Sequence, residues 1–99
     1  MAAIAVAAEN AGMTMAAANG GGDTVAATPG EFGGHTIQGN VVLVVTVGAT
    51  PTVVTIDGTA KPSLTSQTAA YSVPSGVYSR TVAVTYNQVT GVTVGACVL

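Results

Sequence analysis

The sequence predicts an all-β protein: a small antiparallel β-sandwich, immunoglobulin-like or jelly-roll-like, with an Ala-rich N-terminal arm. Three observations predict it. The 99 residues include 17 Val and 15 Thr, β-branched side chains that fit a pleated, half-buried surface. Seven or so short apolar runs are separated by Gly, Pro, Asn and Asp, at the spacing of roughly 8–12 residues that marks a sandwich or small barrel. No run carries the period of an amphipathic helix. The length suits one domain, divided into an arm over 1–11 and a sandwich over 12–99.

The elements follow in order. Residues 1–9 are Ala-rich and fit either a turn of helix or an extended arm, with Gly12 and Gly20–Gly22 limiting any helix beyond them. The stretch "GMTMAAA" (12–18) is a weak strand, "NGGGD" a turn, and "DTVAA" (23–27) a short strand ended by Thr28-Pro29-Gly30. "EFGGHTIQGN" reads as a loop with one extended piece around His35 to Gln38. Val41 to Val47 is almost continuously apolar, the pattern of a strand covered on both faces, which would place Val44 inside. Gly48-Ala49-Thr50-Pro51 then breaks the run, and Thr52 to Ile56 is expected to pair back as the second arm of a hairpin, with Asp57-Gly58 turning after it. The polar stretch 59–71 is a loop with at most one edge strand; Tyr71 to Val73 is extended, and Pro74-Ser75-Gly76 turns. From Ser79 to Tyr86 alternation is clean, with Val82, Val84 and Tyr86 on one face and Thr81, Ala83 and Thr85 on the other. "NQVTG" (87–91) reads as a hairpin loop leading to a last strand in which Val92, Val94, Ala96 and Val98 share a face.

Charge is scarce. Only Glu9, Asp23, Glu31, Asp57, Lys61 and Arg80 are ionised, 6% of the chain against roughly 25% in an ordinary soluble domain. Few charges are a poor defence against association, so the sequence favours a surface covered by neighbours over one kept apart by repulsion. With net charge −2 and no basic run, a nucleic-acid surface is not expected. The start of the chain has no Lys or Arg before its apolar part, and Glu9, Asn10 and Gly12 interrupt it. Neither a secretory signal nor a membrane span is therefore expected, and the chain is read as made in a cytoplasm with Cys97 as a free thiol.

Residues able to carry chemistry are few. His35 is the only histidine and no Cys or carboxylate stands at ligand spacing from it, so it reads as a loop histidine rather than a metal ligand. Cys97 lies in an alternating strand without a nearby base or cation in sequence, so a buried structural thiol is the simpler reading than a nucleophile. "NGGGDT" has neither a following Lys nor a helix, and it reads as a turn, not a phosphate cradle. The chain is accordingly read as a non-enzyme with no catalytic residue, cofactor or metal. A carbohydrate-binding module is disfavoured because only Phe32, Tyr71, Tyr78 and Tyr86 are aromatic.

Taken in order, "GGGDTVAA", "VVLVVTVGATPTVVTID", "YSVPSG" and "TVAVTYNQVTGVTV" resemble the small head-decoration, or minor capsid, proteins of tailed phages, notably those infecting actinobacteria. The resemblance spans roughly residues 12 to 99. It implies a structural protein on the outer capsid surface of the virion, bridging neighbouring major capsid subunits, with the phage major capsid protein as partner and a homo-oligomer such as a trimer around local three-fold axes. No nucleic acid or membrane partner is implied. The expected contact residues are Ala2, Ala3, Ile4, Ala5 and Val6 in the arm, whose small side chains can lie flat along another chain, and Arg80 as a charge that could set register. The alternative is a tail-tube, tail-tip or fibre module.

Overall fold

Apolar alternation with nothing of helical period leaves each segment only one way to bury its side chains, namely against a second sheet. The computed structural model describes residues 2–7, 12–27, 30–32, 35–37, 41–73 and 79–98, and among them there is no helix. Twelve strands follow in chain order: β1 (Ala2–Ala3), β2 (Val6–Ala7), β3 (Ala16–Ala17), β4 (Asp23–Ala27), β5 (Gly30–Phe32), β6 (His35–Ile37), β7 (Val41–Val47), β8 (Val54–Ile56), β9 (Thr59–Ala60), β10 (Gln67–Val73), β11 (Arg80–Tyr86) and β12 (Thr93–Val98).

They form two five-stranded sheets. Sheet I has the order β1-β4-β11-β8-β9; sheet II has the order β10-β7-β12-β2, with β3 also on β12. Strands β5 and β6 pair only with each other, as a hairpin between the sheets in sequence. The all-β class and the two-layer arrangement agree with the sequence. All long pairings are antiparallel, while β1 on β4 and β2 on β12 run parallel, so both sheets are mixed.

The core lies between the sheets. Sheet I contributes Val25, Ala27, Val54, Ile56, Val82 and Val84, and sheet II contributes Val41, Leu43, Val45, Val47, Val73, Val94 and Ala96. These positions alternate with half-buried or exposed ones, which is the period-two pattern of strands covered on one face. The alternation expected from 79 to 86 is found: Val82 and Val84 are buried, Tyr86 is half-buried, and Thr81, Ala83 and Thr85 are exposed. The same pattern corrects the expectation for Val44. It faces outward with Val42 and Thr46, half-buried, because β7 is fully covered on one face only.

The principal correction concerns pairing. Residues 41–47 and 52–56 do not form a hairpin: β7 is flanked by β10 and β12, whereas β8 lies between β11 and β9 in the other sheet. The break at 48–53 is a crossing from sheet II to sheet I. Residues 87–92 likewise carry the chain from β11 in sheet I to β12 in sheet II, and are not a hairpin loop. The two crossings run side by side. Gly48 N–H donates to the Gly91 carbonyl (3.1 Å), and Asn87 N–H donates to the Val53 carbonyl (3.2 Å). Val53 N–H in turn donates to Asn87 Oδ1 at 2.8 Å. Buried Thr52 anchors the bundle: its hydroxyl bonds the Thr50 carbonyl and accepts from Gln88 Nε2, and its backbone exchanges two hydrogen bonds with Leu64. Six residues with a proline thus find partners in two other segments, around Leu64 and over 87–91, rather than in a tight turn.

Smaller differences follow the same logic. Within the stretch 31–40, the extended piece expected around His35 is found as β6, and the strand it pairs with, β5 from Gly30 to Phe32, is the difference. The polar stretch 59–71 holds β9 and the first part of β10, a seven-residue edge strand paired with β7 from Gln67 to Val73. Asp57 and Gly58 do form the expected turn, both with positive φ (52° and 79°), between β8 and β9. The turn expected at 74–76 lies outside the described residues.

Candidate functional site

Ala-rich sequence has no inside and outside of its own, so the course of residues 2–7 is set by what they pair with. They are extended, which resolves the choice between helix and arm. Ala2 and Ala3 lie opposite Asp23 and Thr24 on the free edge of β4, and Ile4 N–H donates to the Thr24 carbonyl at 2.8 Å. Val6 and Ala7 then lie opposite Ala96 and Cys97 on the edge of β12. Within six residues the chain therefore steps from the edge of sheet I to the edge of sheet II and straps the open side of the sandwich. Ile4 and Val6 are half-buried against the core; Ala2, Ala3 and Ala5 are exposed. Five of the six expected contact residues are thus gathered on this strap.

Arg80 is not brought to it. It opens β11 opposite Ala27, at the other end of β4, and is held by Asp57 through two hydrogen bonds of 2.7 and 3.0 Å. The pair is exposed (44% and 37%), so it is worth about 1 kcal/mol at most, but it leaves the guanidinium occupied within the chain.

Beside the strap, a cavity of about 190 Å³ opens between residues 2–5 and Thr14, Ala16, Ala17, Asp23 and Val94. Asp23 is a buried carboxylate, 3% exposed. Its Oδ2 accepts from the Tyr86 hydroxyl at 2.7 Å and from the Asn19 N–H at 3.2 Å. Asn19 also closes the glycine turn, its carbonyl accepting from Gly22 N–H and its Oδ1 from Gly21 N–H. Asp23 shares alternation with Val25 and Ala27, and that phase is the signal by which the sequence places it inward. Reading the carboxylates as scattered single charges overlooks it.

Burial, then the hydrogen bond to Asp23 and the charge of that carboxylate, push the Tyr86 hydroxyl well above its ordinary value of 10.0. Unfolded Tyr ionises near pH 10 while folded Tyr86 resists, so its contribution to stability is complete below about pH 10 and declines as the pH rises further. Tyr86→Phe should therefore flatten the loss of stability above pH 10, read as urea midpoint against pH; an unchanged alkaline slope would mean that Tyr86 does not face Asp23.

The other unusual surface is the outer face of sheet II. Strands β2, β3, β7, β10 and β12 contain no charged residue at all. Outward Val42, Val44 and Thr46 are half-buried and Thr68, Ala70 and Ser72 are exposed, with Thr46 and Thr68 hydroxyls joined at 3.0 Å. Where β12 crosses this face, Gly95 is buried beneath Met13, Thr14 and Met15. On the far side of the sandwich, away from the strap, Lys61 places its ammonium 5.9 Å from the Tyr71 ring centre, a cation–π contact that links the end of sheet I to edge strand β10.

Cys97 is free and half-buried, opposite Ala7 and Val42. His35 lies on β6, opposite Phe32. Among the described residues no three or more His, Cys, Asp or Glu side chains come together as a metal site would require. Neither a family model, a curated protein nor a solved structure matches the chain.

Proposed function

We propose that this chain is a structural virion protein that decorates the outer surface of an icosahedral phage capsid and stabilises it by bridging neighbouring major capsid subunits, as a homo-oligomer. The observation that carries the reading is the charge-free sheet II. A half-buried Val/Thr/Ala face of this kind gains by being covered and has no ion pairs to strip of water when it is. Sheet I fits the same use: Asp23 is buried and Asp57 and Arg80 neutralise each other. Edge strand β10 has a strand, β7, on one side only, and its outer edge offers a further mode of attachment. The order of the glycine turn, the apolar runs and the closing strands supports the phage assignment, through the resemblance drawn from the sequence.

The experiment is to add purified chain to preformed capsids that lack it. Binding should saturate at a fixed ratio to the major capsid subunit and raise the temperature at which the shells rupture. If shells are neither bound nor stabilised the reading fails, and if labelled chain is found on tails instead, the chain is a tail component.

A further inference from the structure

We propose that residues 2–7 are an exchangeable strand, passed between copies of this chain so that the strap of one copy closes the sandwich of another. The inference is independent of where the protein sits in a virion.

Three observations carry it. The first is how lightly the strap is held. Each of its strands is two residues long, its anchors are the half-buried Ile4 and Val6, and beside it lies the cavity of about 190 Å³. The second is what its departure exposes. The edge of β4 and the Ala96–Cys97 edge of β12 would both lose their partner, baring main-chain donors and acceptors on the two sheets together. Only a segment that steps between sheets in this register covers both, and the segment known to fit is residues 2–7 of an identical chain.

The third is slack. Ala7 lies opposite Cys97, and Met13 lies against Gly95, two residues along the same strand. Those two positions of β12 are roughly 7 Å apart along the strand, whereas the six peptide links from 7 to 13 reach roughly 20 Å when extended. The connection is therefore long enough to open outward without disturbing β3. Exchange replaces each pairing by the same pairing in another copy, so the two forms differ only in the path of the connection and in the entropy of association. Short connections hold their ends at an effective concentration on the order of 1 mM, and copies crowded together can compete with that.

The test uses the natural thiol. Ala7→Cys sets a second thiol opposite Cys97, and oxidation traps whichever copy supplies the strap. After unfolding and refolding at rising concentration, non-reducing electrophoresis should shift from an internally linked monomer to linked dimers and larger species, with the midpoint on the order of 1 mM. The unsubstituted chain, with Cys97 alone, is the control for chance cross-linking. Should Ala7→Cys not fold, unsubstituted chain refolded from a mixture of isotope-labelled and unlabelled copies gives the second readout: magnetisation transfer between Ile4 of one copy and Thr24 of another. Internally linked monomer at every concentration, or no transfer between copies, overturns the proposal.

Discussion

Val84→Asp is expected to abolish the folded state, and Val44→Asp to leave it intact. Val84 is fully buried in β11, the middle strand of sheet I, with Asp23 opposite on one side and Ile56 on the other. A carboxylate there would meet no cation and would stand beside a carboxylate already buried. The cost is several kcal/mol, comparable with the roughly 5–15 kcal/mol that holds a domain of this size together. Val44 sits in an equally apolar stretch of sequence but on the outer face of β7, within reach of water. Aspartate there loses strand propensity and some contact, about 1 kcal/mol. Urea denaturation followed by circular dichroism distinguishes the two. Equal midpoints for the two variants would mean that the inner and outer faces have been exchanged.

The second large effect is expected at Gly95. A methyl group placed there would lie 2.8 Å from Met15 Sδ, 2.9 Å from the Thr14 carbonyl oxygen and 3.0 Å from Met13 Cγ. The sulfur can swing aside, but the carbonyl belongs to the backbone. Gly95→Val must lift residues 13–15 off the sheet, with a destabilisation of about 1–3 kcal/mol and faster proteolytic cleavage within that segment. Gly95→Ala should show a smaller shift in the same direction. Undiminished stability of the valine variant would show that 13–15 are not seated on β12.

Sequence reasoning reached some of this and not the rest, for identifiable reasons. Strands β4, β11 and β12 announce themselves because polar and apolar residues alternate, and alternation states both the conformation and the face. In Val41–Val47 six of seven residues are apolar, so the strand is evident and its faces are not; Val44 was unreadable on that ground. The partner of that strand was also hidden. Gly-Ala-Thr-Pro is compatible with a tight hairpin and with a crossing between sheets, and the distinction is made by Asn87, Gln88, Gly91 and Leu64, all distant in sequence. The strap was hidden for a third reason. Alanine has no strong preference between surface and interior, so "AAIAVA" carries no register, and only the two vacant edges define its path. At the candidate site the sequence located the strap residues but not their junction with the inward-phased Asp23.

The placement of β12 has a bearing on how the chain reaches its native state. This strand pairs with β2, β3 and β7, and the widest of those pairings, Val6 with Ala96, Ala16 with Val94 and Val41 with Val98, span 90, 78 and 57 residues of sequence.

 Sheet II therefore cannot assemble while the chain is still short on the ribosome: its central members wait for a strand made tens of residues later. Closing such large loops before any contact rewards them is slow, and domains dominated by distant pairings fold in milliseconds to seconds. During that interval the valine-rich β7 has β10 on one side but lacks its β12 partner on the other, so the nascent polypeptide is exposed to aggregation along that edge until β12 arrives.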